Sequence, residues 1–404
     1  MKPMGPIPPF FEAGSDGELV IAGKPASAWL DEADAPAFVY DKAIIEAKVA
    51  EFRAAMPDRV ALHYAVKANS YGPLLEHMAK KVDGFDLASR GELERVDGLD
   101  LPLSIAGPGK SDADIAAALQ KGVTIHLESE GEADRALAVA EAQGTTPRLA
   151  IRINPPFILK GAGMKMGGLA SQFGIDAERV GPLALRLVDA GADFQGYHLY
   201  AGSQSLSAEA IAESQLATID LTEKLVAETG IVPREVNLGG GFGIPYFANE
   251  KPLDISVIGD AIGKRLQDRP ALSETKFILE LGRWLVGEAG VYLTRVLDRK
   301  QSHGETFLTT DGGMHHVLAA SGNLGQFLRR NYPITNASRF ADEPTLEASV
   351  VGRLCTPLDL LGDEVMLADT QVGDVIALFC QGAYGLTASP NDFLSQPKAR
   401  EHLA

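Results

Sequence analysis

Cysteine and basic residues are both scarce in this sequence of 404 residues. The two cysteines, Cys355 and Cys380, do not make a disulfide framework. Lysine and arginine number 37 against 54 aspartate and glutamate residues, which gives a formal net charge of -17. Such a charge repels nucleic acid and anionic membranes, so neither is expected as a partner, and an anionic cofactor needs a local site of its own.

Long apolar runs are also absent. No stretch is long and apolar enough to span a bilayer, and the N-terminal segment lacks the apolar core of a secretory signal. The expected compartment is therefore the cytoplasm. With 46% hydrophobic residues, the chain is long enough for two domains with sizeable cores.

Residues 36–280 alternate short apolar strands with amphipathic helical stretches, a pattern typical of repeated βα units. Strands are predicted at 37–40, 60–66, 84–87, 102–106, 123–127, 148–154, 194–200 and 235–238. Eight such strands favour an α/β fold with a closed, TIM-like (β/α)8 barrel. An open doubly wound sheet is the alternative, but it usually needs fewer strands and a dinucleotide fingerprint at its first turn, which this sequence lacks.

The pattern changes after residue 280, where predicted strands are separated by Gly, Asp and Pro turns and few helical periods remain. These strands are predicted at 291–296, 306–310, 346–351, 365–367 and 375–379. Residues 1–35, with a short strand near 18–21, are expected to join this part. We therefore predict a barrel domain over 36–280 and a β-rich, β-barrel-like domain made of 1–35 and 281–404.

Lys67 lies where a barrel strand should end, because alternate residues of 60–66 are apolar β-formers. Desolvation lowers the pKa of a lysine and frees its lone pair for attack on a carbonyl carbon, so Lys67 is a candidate Schiff-base amine. A surface lysine whose stem packs on apolar neighbours is the alternative.

Other predicted strands also end in polar residues, and the carboxyl ends of the strands form the active site of a (β/α)8 barrel. They offer Asp86 with Ser89, Arg152, the segment 200–204 and a glycine-rich turn at 239–243. Clustered glycines let backbone N–H groups approach a phosphate closely, which suits a phosphorylated cofactor. Tight turns also use glycine for steric reasons, and this alternative stays open.

Glu280 and Arg283 stand three residues apart at the end of the apolar run 277–279. A buried carboxylate needs a cationic partner, and an internal ion pair between these two residues is one interpretation. The other gives Glu280 a protonated pyridine nitrogen and Arg283 a phosphate, which the planar guanidinium suits. A lysine, a phosphate cradle and a carboxylate for a pyridinium together describe a pyridoxal 5'-phosphate site. No metal site is predicted.

Eight short motifs follow one another along nearly the whole chain. They are YAVKAN (64–69), FDLASRGEL (85–93), GPGK (107–110), GSQ (202–204), GGGFG (239–243), ELGR (280–283), CTPLD (355–359) and GAY (382–384). In this order they resemble the fold type III pyridoxal-phosphate decarboxylases, the family of the diaminopimelate, ornithine and arginine decarboxylases. Each motif alone is weak, but their joint order is specific.

The resemblance implies a set of site residues. A cofactor aldimine is implied on Lys67, a pyridinium contact from Glu280, and phosphate contacts from Ser203, Gly239, Gly240, Gly241, Gly243, Arg283 and Tyr384; Asp86, Arg152 and Gly282 complete the predicted cofactor site. Cys355 matches the family cysteine that helps to protonate the product. Because its segment reaches the active site of the partner subunit in that family, a homodimer with shared active sites is expected.

The implied reaction is a decarboxylation. The substrate amine displaces Lys67, carbon dioxide leaves the α-carbon, and the electrons flow into a ring that Glu280 keeps protonated. Alanine racemases resemble this barrel but place an arginine at the ring nitrogen, so Glu280 favours decarboxylation over racemisation. A catalytically silent binding protein is the other alternative, and the complete catalytic set argues against it.

One aromatic position departs from the family pattern. Tyr200 stands where these decarboxylases usually carry the histidine that stacks on the cofactor ring, and His198 lies two residues earlier. Alternate residues of a strand point to one face, so His198 is predicted to share the barrel interior with Tyr200 as a cofactor contact. A buried histidine with no such role is the alternative for His198.

Thr356 follows Cys355 where the ornithine and diaminopimelate enzymes carry an acidic residue for the distal amine of the substrate. Its neutral side chain argues against lysine, ornithine and diaminopimelate as substrates. A basic, glycine-rich loop at 159–168, which contains Lys165, is predicted at the catalytic mouth, either to bind a substrate carboxylate or phosphopantetheine arm or as a solvated loop. Lys165, Thr356 and Asp359 are the predicted substrate contacts.

The combination of Tyr200, Thr356 and this loop makes the sequence similar to a subgroup of the family found with exosortase and exopolysaccharide loci. It is also similar to the butirosin-pathway decarboxylase of carrier-bound glutamate. The resemblance implies either a small amino acid or an aminoacyl group tethered to a carrier protein as the substrate.

Overall fold

The computed structural model describes residues 1–31, 35–157, 164–165, 170–326 and 328–404, with the main chain alone at Asp31, Met164 and Lys165. Its internal contacts divide the chain into two compact units. Val49–Gly243 and Pro252–Gly282 are termed the barrel unit, and Met1–Lys48, Ile244–Lys251 and Arg283–Ala404 the β-rich unit.

The strands, in chain order, are β1 (Glu12–Ala13), β2 (Leu19–Ile21), β3 (Lys24–Pro25), β4 (Ala37–Tyr40), β5 (Val60–Ala65), β6 (Gly84–Leu87), β7 (Leu103–Ile105), β8 (Thr124–Leu127), β9 (Arg148–Asn154), β10 (Met164–Lys165), β11 (Ile175–Asp176), β12 (Asp193–Leu199), β13 (Gly202–Ser203), β14 (Glu235–Asn237), β15 (Lys276–Leu281), β16 (Gly290–Ser302), β17 (Glu305–Thr310), β18 (Ile334–Asn336), β19 (Leu346–Val351), β20 (Leu360–Leu367), β21 (Val375–Leu378) and β22 (Arg400–Leu403). The α-helices are α1 (Ala26–Asp31), α2 (Lys42–Ala55), α3 (Gly72–Met78), α4 (Arg90–Arg95), α5 (Asp112–Gln120), α6 (Glu130–Gln143), α7 (Ala177–Asp189), α8 (Ala208–Thr229), α9 (Ile255–Gln267) and α10 (Arg283–Val286). Short 3-10 helices span Val66–Ala68, Pro270–Leu272, Ala337–Arg339, Leu386–Ala388 and Phe393–Ser395. Within the described residues, no helix has the length and apolar character needed to cross a membrane.

Eight parallel strands close into the barrel, in the order β5, β6, β7, β8, β9, β12, β14, β15 and back to β5. The closing pair, β15 and β5, runs from Phe277 opposite Val60 to Leu281 opposite Tyr64. These strands are largely buried and rich in apolar residues, as strands covered on both faces must be. The predicted α/β barrel with a separate β-rich part is confirmed.

Serine side chains start the helices that follow three neighbouring barrel strands. Ser89, Ser111 and Ser129 each accept a hydrogen bond from the backbone N–H three residues later, at the N-termini of α4, α5 and α6. Such caps satisfy backbone donors that the helix leaves open. The chain therefore turns from strand to helix at the same end of the barrel each time, and this end carries the polar residues described below.

The predicted strand at 37–40 exists, but its assignment to the barrel is wrong. It is β4, which pairs antiparallel with β16 and parallel with β22 in the β-rich unit. The eighth barrel strand is instead β15, and Lys67 follows the first barrel strand rather than the second. A buried run of four apolar residues fits either sheet, so the sequence pattern does not distinguish the two. The domain boundaries predicted at residues 36 and 280 stay predictions.

The main sheet of the β-rich unit runs in the order β18, β21, β16, β17, β19, β20, with β4 beside β16 and β22 beside β4. The long strand β16 joins its parts, since its first half pairs with β4 and β21 and its second half with β17. The sequence pattern does not predict β18 or β22, because runs of three or four residues are too short to show a period of two.

Candidate active site

Every strand of the barrel carries a buried polar side chain close to its carboxyl end. The members are His63, Asp86, Ser104, His126, Arg152, His198, Asn237 and Glu280, one from each of the eight strands, and we name them the polar ring. Barrel interiors are usually filled by bulky aliphatic residues. Burying this many polar groups costs free energy unless they pair, so their contacts decide what the ring can do.

One side of the polar ring is a cluster of polar side chains around Asp86. The hydroxyl of Ser104 donates to Asp86 Oδ1, and His63 Nδ1 lies 3.4 Å from Asp86 Oδ2. The imidazole of His63 lies over Gly84, where an added Cβ would come within 2.5 Å of Nε2. The glycine thus makes room for the histidine. Asp86, predicted as a cofactor contact, is engaged here by its neighbours in the ring, and its role toward the cofactor stays a prediction.

The other side of the polar ring centres on Glu280. Asn237 Nδ2 donates to Glu280 Oε2 at 3.0 Å, and His198 Nε2 lies 3.3 Å from the same oxygen. Burial by itself would raise the pKa of Glu280, but His198, Lys67 and Arg152 outweigh it and hold the pKa of this carboxyl well below its usual range. Glu280 is therefore a buried carboxylate that stays ionised.

Arg152 forms a buried ion pair with Glu128, which directly follows β8. Its Nη1 donates to Glu128 Oε1 at 2.7 Å, and the backbone N–H groups of Gly107 and Gly174 donate to the two oxygens of the same carboxylate, each at 2.7 Å. Burial raises the pKa of Glu128, but Arg152 and these hydrogen bonds lower it further, so the net shift is downward. The sequence analysis missed Glu128, although its place at a strand end was a usable signal. The predicted cofactor role of Arg152 stays a prediction.

Lys67 lies on the 3-10 helix that follows β5, exposed between the buried residues Val66 and Ala68. Its Nζ is 5.1 Å from the centre of the Tyr200 ring, just beyond the end of β12. His198, two residues earlier, contacts Glu280 instead. The structure thus gives the two aromatic candidates different neighbours: Tyr200 lies beside the lysine, and His198 beside the carboxylate.

The glycine-rich turn packs directly on its neighbours. A Cβ at Gly240 would come within 2.0 Å of the carbonyl oxygen of Glu280, and one at Gly241 within 2.3 Å of that of Gly202. Gly239 and Gly241 also have positive φ angles of 73° and 84°. Only glycine tolerates both the close approach of these carbonyl oxygens and the positive φ angles. The main chain of the turn thereby lies against the strand that carries Glu280 and against β13, where Ser203 lies.

Two further predicted residues lie near these elements. Gly282 packs on the lysine-bearing 3-10 helix, since a Cβ there would come within 2.7 Å of the Cβ of Ala68. The main chain of Lys165, in β10, lies opposite Gly202 of β13, and Met164 lies opposite Ser203. The rest of the basic loop predicted at 159–168 lies outside the described residues. Cofactor binding by Gly282 and substrate binding by Lys165 stay predictions.

In the β-rich unit, Arg283 is held by two tyrosines. Its Nη1 donates to the Tyr246 hydroxyl at 2.9 Å, and its guanidinium lies 4.6 Å from the centre of the Tyr384 ring. Burial lowers the pKa of Arg283, but Tyr246 and Tyr384 raise it more, so the group stays a cation. Its buried Nε has no hydrogen-bond partner among the described residues. The phosphate contact of Arg283 stays a prediction.

The predicted substrate residues of the β-rich unit lie on one loop. Cys355 is exposed, and Thr356 is half-buried with its hydroxyl accepting from the N–H of Leu358 at 3.3 Å. Asp359 is buried and accepts hydrogen bonds from the N–H groups of Met314 and Leu354 at 2.6 and 2.9 Å. Asp359 thus joins two loops, and its contact with a substrate stays a prediction. No cluster of metal-binding side chains is found within the described residues.

The comparisons with known proteins decide the family. Residues 42–287 match the pyridoxal binding domain of the pyridoxal-dependent decarboxylases. The chain belongs to the fold type III pyridoxal-phosphate decarboxylases. An L-glutamyl-[BtrI acyl-carrier protein] decarboxylase of Niallia circulans is 37% identical to this decarboxylase over 381 residues, which cover 92% of the chain and 89% of that protein.

Two more relatives extend the comparison. The 2-[(L-alanin-3-ylcarbamoyl)methyl]-2-hydroxybutanedioate decarboxylase of Staphylococcus aureus is 28% identical and covers 89% of this chain and 92% of its own length. The crystal structure of diaminopimelate decarboxylase from M. jannaschii in complex with L-lysine superposes with a TM-score of 0.86 at 26% identity, over 98% of this chain and 92% of that one. The decarboxylase described here is thus similar to both over nearly its whole length.

The cofactor of this decarboxylase is pyridoxal 5'-phosphate, and the residues present fit it. The barrel unit offers an exposed lysine, an ionised buried carboxylate and a turn whose residues 239–241 have no room for a side chain larger than that of glycine. The β-rich unit offers a buried guanidinium whose Nε has no hydrogen-bond partner in the part of the chain that the structure describes. These groups match an aldehyde, a pyridine nitrogen and a phosphate in charge and chemistry.

Proposed function

We propose that this enzyme decarboxylates an amino acid held on a carrier protein, with a glutamyl thioester as the favoured substrate. The supporting observation is Thr356, a neutral, half-buried residue beside the exposed Cys355. A neutral hydroxyl gives no charge complement to the distal amine of lysine, ornithine or diaminopimelate. The similarity to a decarboxylase of a glutamyl carrier protein over 92% of the chain supports the same substrate class.

The proposed roles follow from the chemistry of the residues. Lys67 Nζ is the amine that would hold the aldehyde of the cofactor. Glu280 holds the proton of the ring nitrogen, since its carboxylate stays ionised in the buried site. Bound pyridoxal phosphate supplies the sink for the electron pair that carbon dioxide leaves at the α-carbon. Cys355 is the proposed donor of the proton that then replaces it. Tyr200, next to Lys67, is the proposed stacking residue.

The proposed substrate class is tested by carbon dioxide release. With the L-glutamyl BtrI acyl-carrier protein as the probe, kcat/KM should exceed that for free L-glutamate, L-lysine, L-ornithine or meso-diaminopimelate by at least about a hundredfold. The variant Thr356→Glu adds a carboxylate and should raise turnover of free L-lysine by at least about tenfold over the parent enzyme.

A matched control is Thr356→Val, which keeps the shape of the side chain and adds no charge. It should not gain activity on lysine. Brisk turnover of free lysine or ornithine by the unmodified enzyme would show that the interpretation of Thr356 is wrong. Turnover of free glutamate at the rate of the thioester would remove the carrier from the proposal.

We also propose a homodimer in which a second copy covers the loops around Cys355. Leu324, Leu328 and Leu358 are 45%, 74% and 55% exposed. The side-chain amide of Asn323 donates to the carbonyl oxygen of Leu358 at 3.0 Å, which joins their loops. Exposed apolar side chains grouped in this way are typical of an interface between copies. A cytoplasmic location stays a proposal from charge and composition.

Sharing of active sites between subunits predicts complementation. Lys67→Ala and Cys355→Ala proteins should each lose most of their activity, and unfolding and refolding them together should restore activity at roughly a quarter of the sites through mixed dimers. Decarboxylation rates and analytical ultracentrifugation check this outcome. Leu328→Asp should shift the dimer toward monomer. A fully active monomer, or no recovery in proven mixed dimers, would contradict shared sites.

A further inference from the structure

Two buried imidazoles face each other beside Glu280, and the proposed roles make no use of this contact. His126 Nδ1 and His198 Nδ1 lie 2.9 Å apart, with ring centres separated by 4.6 Å. His198 turns its other nitrogen, Nε2, toward Glu280 Oε2 at 3.3 Å. His126, His198 and Glu280 are 3%, 1% and 6% exposed, so water competes little for these atoms.

The facing nitrogens restrict where protons can lie. Two lone pairs at 2.9 Å would repel, and two N–H groups would clash, so one Nδ1 atom carries a proton and the other accepts it. A neutral His198 that carried this proton would turn a bare Nε2 lone pair toward the carboxylate of Glu280. The favourable neutral arrangement therefore has His126 as the donor and His198 with its N–H on Nε2.

A charged His198 leads to the same orientation. With both nitrogens protonated, His198 donates through Nδ1 to His126 and points its Nε2–H at Glu280. In either arrangement, His126 occupies the Nδ1 side of His198 and leaves an N–H toward the carboxylate. Without a partner on that side, the neutral ring could instead take the tautomer with a lone pair on Nε2.

We propose that His126 is a positioning residue that acts through His198 to keep an N–H directed at Glu280, and so helps this carboxylate to stay ionised for the cofactor ring. The inference rests on the proposed role of Glu280. It adds a residue from β8 that lies outside the family motifs recognised in the sequence.

The surroundings of His126 suit a neutral partner rather than a second cation. Burial, His198, Lys110 and Arg152 lower the pKa of His126, against an opposing effect of Glu280, and the net pKa lies well below its ordinary value. The carbonyl oxygen of His126 accepts a hydrogen bond from the buried Nζ of Lys110 at 2.9 Å, which ties its main chain to the loop that precedes α5. The imidazole is thus anchored at its backbone and oriented by His198.

The test compares His126→Leu with His126→Asn in the holoenzyme. Leucine fills the space without a donor, whereas the asparagine amide places a donor near the position of Nδ1. His126→Leu should lower kcat by about tenfold to a hundredfold with KM nearly unchanged, the scale seen for outer residues that orient a functional group. With ¹⁵N in the cofactor ring, its NMR signal should move toward the unprotonated nitrogen. His126→Asn should recover both properties.

A second measurement needs no substitution. In the cofactor-free protein labelled with ¹⁵N-histidine, His198 should show a protonated Nε2, and the opposite neutral tautomer would overturn the inference. Glu280→Gln separates this inference from the proposed function. If Glu280→Gln moves the ring-nitrogen signal and His126→Leu does not, His126 is only structural. If Glu280→Gln leaves the signal unchanged, the proposed role of Glu280 itself is wrong.

Discussion

Replacement of Lys67 by alanine is expected to abolish carbon dioxide release while the protein stays folded. A methyl group cannot hold the cofactor covalently, so the rate should fall by about a thousandfold or more. Lys67 is exposed but helps to lower the pKa of the buried Glu280, so the free energy of unfolding should fall only modestly, by about 1 kcal/mol or less. Decarboxylation rates, thermal unfolding and mass spectrometry after borohydride reduction measure these effects.

Two controls separate covalent from electrostatic roles of Lys67. Lys67→Arg keeps the positive charge near Glu280 but lacks a primary amine, so it should be as inactive as Lys67→Ala. Lys80→Ala removes another exposed lysine of the barrel unit and should leave the rate unchanged. Substantial activity in Lys67→Arg, or borohydride fixation of the cofactor to another lysine, would rule out the proposed role.

Replacement of Glu280 by glutamine is expected to lower kcat by on the order of a hundredfold, because a neutral amide stabilises a protonated ring nitrogen less well than a carboxylate does. Glutamine has the same shape, and its oxygen can still accept from Asn237. The loss should therefore appear in kcat and in the ring-nitrogen signal rather than in the fold. Glu280→Asp keeps the negative charge but carries it on a shorter side chain, and it should retain a protonated ring nitrogen. Full activity in Glu280→Gln would contradict the proposal.

Replacement of Glu280 by glutamine should also change how the free energy of unfolding depends on pH. The pKa of Glu280 is lower in the folded protein than its ordinary value of 4.5, so its ionised form stabilises the fold above that pH. This contribution is lost as the pH falls toward the folded pKa. In urea unfolding of the cofactor-free protein, Glu280→Gln should be less stable than the parent at pH 7, and the gap should narrow below pH 4.5. If the parent and Glu280→Gln differed in the free energy of unfolding by the same amount at pH 7 and below pH 4.5, the charge of Glu280 would not be the cause of the difference.

Local patterns predicted much of the barrel, because each strand is a short apolar run followed by a helix. They failed at 37–40 and at 276–281, where buried runs of similar composition belong to different sheets. Membership of a sheet depends on which strands meet after closure, and periodicity within one strand carries no such information. The terminal strand β22 shows the same limit, since it pairs with β4 from the other end of the chain.

The residues of the candidate site also divide into those that the sequence predicts and those that it does not. Lys67, Glu280 and the turn at 239–243 stand in recognisable local contexts, and the sequence predicts them. His126 has no such local context, because its proposed role depends on a contact with His198, a residue 72 positions away. Glu128 stands at a strand end, which the sequence shows, but its pairing with Arg152 on the next strand does not appear in the sequence. Contacts across a closed barrel appear only when all its strands are in place.

The polar ring has a consequence for laboratory evolution of this enzyme. Replacing buried ionic groups by well-packed apolar residues of similar volume is often neutral or stabilising, by about 1–4 kcal/mol. The ring places a buried polar side chain on each of the eight barrel strands, and Arg152 and Glu280 are among its charged members. Selection for heat resistance alone would therefore favour aliphatic residues at these positions, while selection for turnover would keep those next to Glu280 polar. Mutations recovered in the ring would thus show which of the two properties a given screen rewarded.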